Sequence, residues 1–329
     1  MSVLAPGTRK SCYKCGREAE VMVRYARLYL CREHYIEYIE ERIMKTIERY
    51  GLLSGVKRLL IALSGGKDSL SLAYVLSRNK EKIGLTEIIG LHIDLGINGY
   101  SEKSRESVEK ACSELGMKCF ILSLKDLLGL SLPEIIKKSN RPPCSICGLI
   151  KRYIINTASI ELGVDAVATG HHMDDILLFY LKNFLLGVKS DYLKLGPVIE
   201  AKDTIVAKKL RPLYEVYEED LSIYAKLRGI KTVGNECPFK HDDQIEKAIK
   251  EMLDKLENHA PGYKLSLLRR ITFSEKREAL SLREVFTCKY CGSPTNNKDN
   301  ICALCKLTQH VFGEPRGLYM KQKLKEFLK

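Results

Sequence analysis

Ser64-Gly65-Gly66-Lys67-Asp68-Ser69 joins a short apolar run, Leu59-Leu60-Ile61-Ala62-Leu63, to a segment in which Leu70, Leu72, Ala73, Val75 and Leu76 recur at helical spacing. A strand that feeds a helix through a Gly-Gly turn makes a cradle for phosphate. Glycine lets the backbone approach an anion without a Cβ in the way, and the first free N–H groups of the helix point at it. The segment lacks G-x-x-x-x-G-K-[ST], so it is not a Walker-type loop. The plain alternative is a structural turn with a solvated lysine. Strand, turn, helix start and charge all agree on the cradle instead.

Cysteine chemistry follows. The chain holds twelve cysteines, and they fall in groups. Cys12-x2-Cys15 and, fifteen residues on, Cys31-x2-His34 offer four soft ligands, as do Cys288-x2-Cys291 and, ten residues on, Cys302-x2-Cys305. Both sets suit tetrahedral Zn²⁺ in closed structural sites. Redox C-x-x-C pairs are the competing reading, but two pairs per site fit a metal better. Between them, Arg141-Pro142-Pro143-Cys144-Ser145-Ile146-Cys147-Gly148 is expected to put two thiols on a loop just ahead of the helix that carries Lys151 and Arg152, and Cys237 stands alone in Asn235-Glu236-Cys237-Pro238. Three ligands without a fourth leave a position open for substrate. An iron–sulfur cluster and a redox or persulfide-forming thiol pair both fit this spacing, with zinc a lesser alternative. Cys112 and Cys119 are left over. They are expected to be small buried apolar residues, because thiols stay reduced in the cytosol.

The elements that must position these groups alternate. A helix over about 33–50 leads into a strand at 59–63, a helix from Ser69, a strand at 88–94, a helix at about 101–115 and a strand at 118–124. A helix at about 149–162, a strand at 166–169 and a helix from Asp174 follow. Such alternation predicts an α/β fold with a doubly wound parallel sheet. Ligands of such sheets lie beyond the carboxyl ends of the strands, so the glycine loop, 92–94 and 170–175 should share one crevice. The expected organisation is an N-terminal zinc finger over 1–35, a catalytic domain over 36–240, a helical extension over 241–286, and a C-terminal zinc finger with a basic tail over 287–329.

The formal net charge of +13 suits a polyanionic partner, and equally a generic basic surface. Lys208, Lys209, Arg269, Arg270 and the lysine-rich tail are candidate phosphate contacts, with a solvated surface the plainer alternative for each. Glutamine occurs only at 244, 309 and 322 while Lys, Glu and Ile abound, a balance seen in heat-adapted proteins. No run of about eighteen apolar residues and no leader pattern is visible, so a cytoplasmic protein without a membrane span is expected.

Ser64 to Ser69, Gly90-Leu91-His92-Ile93-Asp94-Leu95-Gly96-Ile97, Cys144 to Asn156 and Ala168-Thr169-Gly170-His171-His172-Met173-Asp174-Asp175 together resemble the TtuA branch of the TtcA/TtuA tRNA thiolation enzymes, which are PP-loop ATP pyrophosphatases. Both terminal cysteine patterns match too, so the resemblance covers nearly the whole chain. His172 and Ile176 depart from the residue types usual around that aspartate pair. The resemblance implies 2-thiolation of a T-loop uridine of tRNA, with the wobble uridine of the sister NcsA branch as the alternative. It implies ATP, Mg²⁺, a [4Fe–4S] cluster and two Zn²⁺ as cofactors. A ubiquitin-like sulfur carrier with a C-terminal thiocarboxylate is the implied partner besides tRNA, and a homodimer the implied assembly. Carried onto this sequence, Ser64, Gly65, Gly66, Lys67, Asp68 and Ser69 hold phosphates, and Ala62, His92 and Gly170 seat the nucleotide. Asp175 binds Mg²⁺ or acts as a base, while Asp174 equally suits a helix cap. Lys151 stabilises the adenylated intermediate or is simply solvated, and Cys144, Cys147 and Cys237 hold the cluster. A cysteine persulfide is the rival sulfur route.

Overall fold

The computed structural model describes residues 2–3, 10–188, 195–201, 206–234, 237–240, 243–278 and 286–329. Strands β1 (Ser2–Val3), β2 (Val21–Val23) and β3 (Leu28–Leu30) form a small antiparallel sheet at the N-terminus. Helix α1 (Arg32–Arg49) follows and buries Tyr35, Ile36, Ile39, Ile43 and Ile47, one apolar stripe at helical spacing.

Next come β4 (Arg58–Leu63), α2 (Lys67–Arg78), β5 (Glu87–Asp94), α3 (Ser101–Glu114) and β6 (Lys118–Ser123). Short helices α4 (Leu124–Leu128) and α5 (Leu132–Lys137) lead to α6 (Pro143–Glu161), β7 (Ala166–Ala168) and α7 (Met173–Leu185). Strands β8 (Val198–Ile199) and β9 (Lys209–Leu210) precede α8 (Glu218–Arg228). The strand order is β6-β5-β4-β7-β9-β8, parallel except for β8 at the edge. Chain order runs outward from β4 through β5 to β6 in one direction, while in the other the chain crosses to β7 and then to β9, with β8 outside β9. The topological switch therefore lies between β4 and β7, where a crevice opens at the strand ends.

The pleat sorts the core into two. Leu59, Ile61 and Leu63 face a cluster shared with Val21, Val23, Leu30 and α1. Leu60, Ile89, Leu91, Ile93 and Val167 face the other side, where α6 packs. Two helices, α9 (Gln244–His259) and α10 (Tyr263–Glu278), form a hairpin against α7 through Ile249, Leu253, Leu268 and Ile271. Its corner is organised by Glu257, which accepts hydrogen bonds from Gly262 N (2.6 Å), Lys264 N (2.8 Å) and Tyr217 Oη (3.1 Å). The chain ends with hairpin strands β10 (Phe286–Thr287) and β11 (Pro294–Thr295), then α11 (Ala303–Phe312) and α12 (Gly317–Phe327). Among the described residues no helix is long and apolar enough to cross a membrane.

Two local expectations are corrected. Helix α6 starts at Pro143, so Cys144 and Cys147 sit in its first turns and not on a preceding loop. Proline at the first helical position is preset for the helix and its missing N–H costs nothing there. Cys112 and Cys119 are not separate apolar residues: they form a disulfide, since the α3-to-β6 turn brings their Cα atoms to 6.3 Å. The terminal cysteine sets are packed into the cores on either side of the sheet. Cys12 and Cys31 belong to one core cluster of the sheet, and Cys288, Cys291, Cys302 and Cys305 to the other. Gly317 is required at the second set, because a Cβ there would lie 2.6 Å from the Cys305 sulfur.

Candidate active site

The glycine loop closes on itself. Ser69 Oγ receives the N–H of Ser64 (3.0 Å), lies 3.0 Å from Ser64 Oγ, and donates to the Gly66 carbonyl (3.2 Å). Gly65 takes φ +79°, and a Cβ there would lie 2.7 Å from the Ser104 carbonyl oxygen of α3. Ser104 Oγ also donates to the Ser64 carbonyl at 3.0 Å, and Val233 N donates to the Gly65 carbonyl at 3.0 Å. The turn is thus held from behind by α3 and from the side by the segment after α8. Across the switch point Gly170 meets the same turn, and a Cβ there would stand 2.9 Å from Ser69 N. The structure therefore brings 64–69 and 170 together, as expected from strand order.

Lys67 Nζ is 3.2 Å from Asp68 Oδ1 and 3.2 Å from Glu218 Oε1. Burial works against its charge, but these two carboxylates outweigh burial and raise its pKa. Burial raises the Asp68 carboxyl, with Asp175 adding to the rise and His172 and Lys67 opposing it. The Lys67 ammonium donates its hydrogen bond to the other Asp68 oxygen, Oδ2, at 3.3 Å, so the buried Oδ1 has it as an ion-pair contact only.

Asp175 belongs to a capping box at the start of α7. His172 is the N-cap, its Nδ1 accepts the Asp175 N–H at 3.4 Å, and Asp175 Oδ2 accepts the His172 N–H at 3.3 Å. Asp174 does not cap its own helix. It accepts the Glu218 N–H at the first turn of α8 (2.8 Å) and the buried Lys264 ammonium (2.6 Å). Glu218 and Lys264 are not singled out by the sequence, and His172 stands out there only as a departure from the usual residue type. Only the acidic opening of α8, Glu218-Glu219-Asp220, was a visible signal there.

His92 is buried at the end of β5, and Nδ1–H donates to the Leu63 carbonyl at 2.9 Å. A carbonyl partner fixes the proton on Nδ1. Burial lowers the ring's pKa, so Nε2 is a neutral acceptor, and it has no partner among the described residues. Ala62 is half-exposed between buried neighbours on β4. Lys151 links this end of the crevice to the thiols: its charge acts on both the His92 ring and the Cys147 thiol. Burial raises the Cys147 pKa, and Lys151 opposes that rise.

Cys144, Cys147 and Cys237 are all free thiols at the crevice side, exposed or half-exposed, and Cys144 Sγ lies 3.6 Å from the Phe239 carbonyl. Unlike the terminal sets, their sulfurs do not all lie within 4.8 Å of one another. Asn235 and Glu236 lie outside the described residues. The ligand atoms of Cys12, Cys15, Cys31 and His34, and of Cys288, Cys291, Cys302 and Cys305, do meet that distance, and each set can hold a metal ion. Of the basic candidates, Arg269 is bound to the buried Glu215 through Nε (2.8 Å) and Nη2 (2.6 Å), and Lys208 stands 3.7 Å from Glu200. A glycine turn with a lysine, a neutral histidine acceptor, carboxylates across the switch point and a thiol trio beyond a lysine can bind a nucleotide and place thiols beside a substrate activated by it.

Comparison with known proteins agrees with this geometry. Residues 36–241 match the PP-loop domain family, and residues 11–36 match the N-terminal LIM domain of 2-thiouridine synthetase TtuA. A Pyrococcus horikoshii protein named tRNA-5-methyluridine(54) 2-sulfurtransferase is 41% identical over 298 residues, covering 90% of this chain and 92% of its own. A Thermus thermophilus protein of the same name is 37% identical, covering 92% of each chain. The U34-tRNA thiolase NcsA from Methanococcus maripaludis, solved with its [4Fe-4S] cluster, superposes with a TM-score of 0.74 at 29% identity, over 91% of this chain and 95% of that one.

Proposed function

We infer from one premise, that this chain belongs to the PP-loop family of ATP-using tRNA 2-sulfurtransferases, that it replaces the C2 oxygen of the T-loop uridine at position 54 of tRNA with sulfur. The observation that carries this reading is the pairing of the 64–69 loop with three free thiols reached through Lys151. Amide synthesis by the same loop has no need of those thiols.

A carbonyl oxygen is a poor leaving group. The uridine O2 attacks the α phosphorus of ATP, an O2–P bond forms, the bond to the β phosphate breaks and pyrophosphate departs. Sulfur then attacks C2 and AMP leaves with the oxygen. Backbone N–H groups and hydroxyls of Ser64, Gly65, Gly66, Asp68 and Ser69 bind the phosphates, and Lys67 neutralises charge developing on pyrophosphate. His92 Nε2 accepts from the nucleoside, and Gly170 with Ala62 allow its close approach. Asp175 holds Mg²⁺ or receives the uridine N3 proton. Lys151 stabilises the adenylated uridine.

Cys144, Cys147 and Cys237 fit a [4Fe–4S] cluster by donor chemistry: three soft thiolates and no fourth. Bound there, the cluster would supply an open iron able to carry sulfide. The two terminal sets fit one Zn²⁺ each. A ubiquitin-like thiocarboxylate carrier, a homodimer and a cytoplasmic location complete the proposal, with units at 1–35, 36–240, 241–286 and 287–329.

The test is anaerobic purification, iron, sulfide and zinc analysis, and thiolation of tRNA transcripts that keep or lose uridine at position 54 or 34. About four irons, with 2-thiouridine formed only when uridine 54 is present, is the expected result. Thiolation at uridine 34 alone would overturn the position. Thiolation by iron-free protein would move the sulfur route to a cysteine persulfide.

A further inference from the structure

All ten cysteines of the three candidate metal sets are free, and the remaining two are bonded to each other. Cys112 lies near the end of α3, seven residues before Cys119 at the start of β6. Cys112 is buried, and Cys119 is half-buried and opposite Gly90 in the sheet register. The same helix α3 carries Ser104, whose hydroxyl and carbonyl hold the glycine loop from behind. One face of α3 therefore touches the phosphate site, while its far end is bonded to the sheet.

We propose that the Cys112–Cys119 bond is a covalent brace that fixes α3 behind the glycine loop, and that it is a thiol–disulfide modification site on which ATP affinity depends. The ATP clause rests on the proposed function; the bond and its effect on stability do not. Formation balances against an external disulfide. The half-exposed Cys119 thiolate attacks that disulfide and releases one thiol, and the Cys112 thiolate then displaces the second. Two protons and two electrons leave the protein, and the external disulfide is reduced to two thiols. Reducing compartments oppose such bonds, although heat-adapted intracellular proteins retain them.

Lys118 separates the two cysteines, so trypsin places Cys112 in the peptide 111–118 and Cys119 in 119–125. Protein purified without reductant, or incubated with oxidised glutathione, and alkylated before digestion should yield these two peptides as one linked species that dithiothreitol splits. Reduction should lower the melting temperature by roughly 5 °C and weaken ATP binding about fivefold. The Cys112→Ser/Cys119→Ser variant should match the reduced protein and respond no further to dithiothreitol, which separates this bond from the other thiols. Absence of the linked species under both conditions overturns the site. Equal responses of wild type and variant to dithiothreitol overturn the brace. A melting shift in a protein that binds no ATP leaves the brace standing and falls on the proposed function instead.

Discussion

The C-terminal cysteine set and the central one use the same side chain for opposite ends. Cys288, Cys291, Cys302 and Cys305 are all buried, sit within 4.8 Å of one another and belong to the core that packs against α6. Cys144, Cys147 and Cys237 are exposed or half-exposed at the mouth of the crevice, and one member comes from far along the chain. Four ligands inside a core make a closed site whose binding energy is folding energy. Three at a rim make a site that substrate can reach. On the proposed function, ligand number and burial, and not the element, divide structure from chemistry.

Substitutions can break that division, and in stability the largest expected loss is at the closed site. Cys302→Ala should remove the metal and with it on the order of 10 kcal/mol of binding energy coupled to folding, so that the variant is aggregated or molten by circular dichroism, with its zinc lost. A near-native melting curve would place the terminal set outside the core's energetics.

Asp220 sets the next scale. It is fully buried beneath Tyr25 and Tyr35, and burial pushes its carboxyl up to about 6 against the pull of Arg42 and the two phenols. An acid whose native pKa is raised destabilises the fold when ionised: the cost is present above pH 6 and disappears as pH falls toward the ordinary value of 3.8. The two values differ by about 2 units, or about 3 kcal/mol. Wild type should therefore gain stability relative to Asp220→Asn between pH 7 and 4, read as the difference between their melting temperatures. A constant difference would count against a carboxylate titrating there.

Gly170→Ala comes third. Its Cβ would press on the Ser69 backbone, which cannot yield as a flexible side chain does, at about 2 kcal/mol. ATP binding should weaken along with the melting temperature, measured by calorimetry. Cys237→Ala is expected to be the smallest, within about 0.5 kcal/mol of wild type, yet to lose iron and thiolation completely. A large melting shift there would erase the contrast between rim and core.

What could be read from the sequence was local. β4 shows as an apolar run because it is buried on both faces, and 64–69 shows because turn chemistry is short-range. The start of α6 was misplaced: Pro142-Pro143 looked like loop, although the second proline is a helix-start signal. The Cys112–Cys119 bond was missed because compartment was weighed over proximity. Gly116, at φ +57°, lies between the two cysteines, and its presence marked the tight return. Arg269 shows the limit most clearly. Its charge was legible, but its partner Glu215 lies in the turn ahead of α8, and Arg49, which pairs with the same carboxylate, ends α1. The Lys264–Asp174 pair, which ties the α9–α10 corner to the crevice wall, is non-local in the same way.

Tyr153 of α6 donates to the Gly317 carbonyl at 2.7 Å, and Gly317 rests on the sulfurs of Cys291 and Cys305. The helix bearing Cys144, Cys147 and Lys151 thus leans on a segment that lies 164 residues further along the chain. Chains emerge from the N-terminus at roughly 5–20 residues per second, so the first cysteine set can close early, whereas α6 waits for a segment made 164 residues after Tyr153 before its buttress exists. Folding acquires an order in time: the 288–305 cysteine set and Gly317 must be in place before the helix that carries Cys144 and Cys147 has its full support.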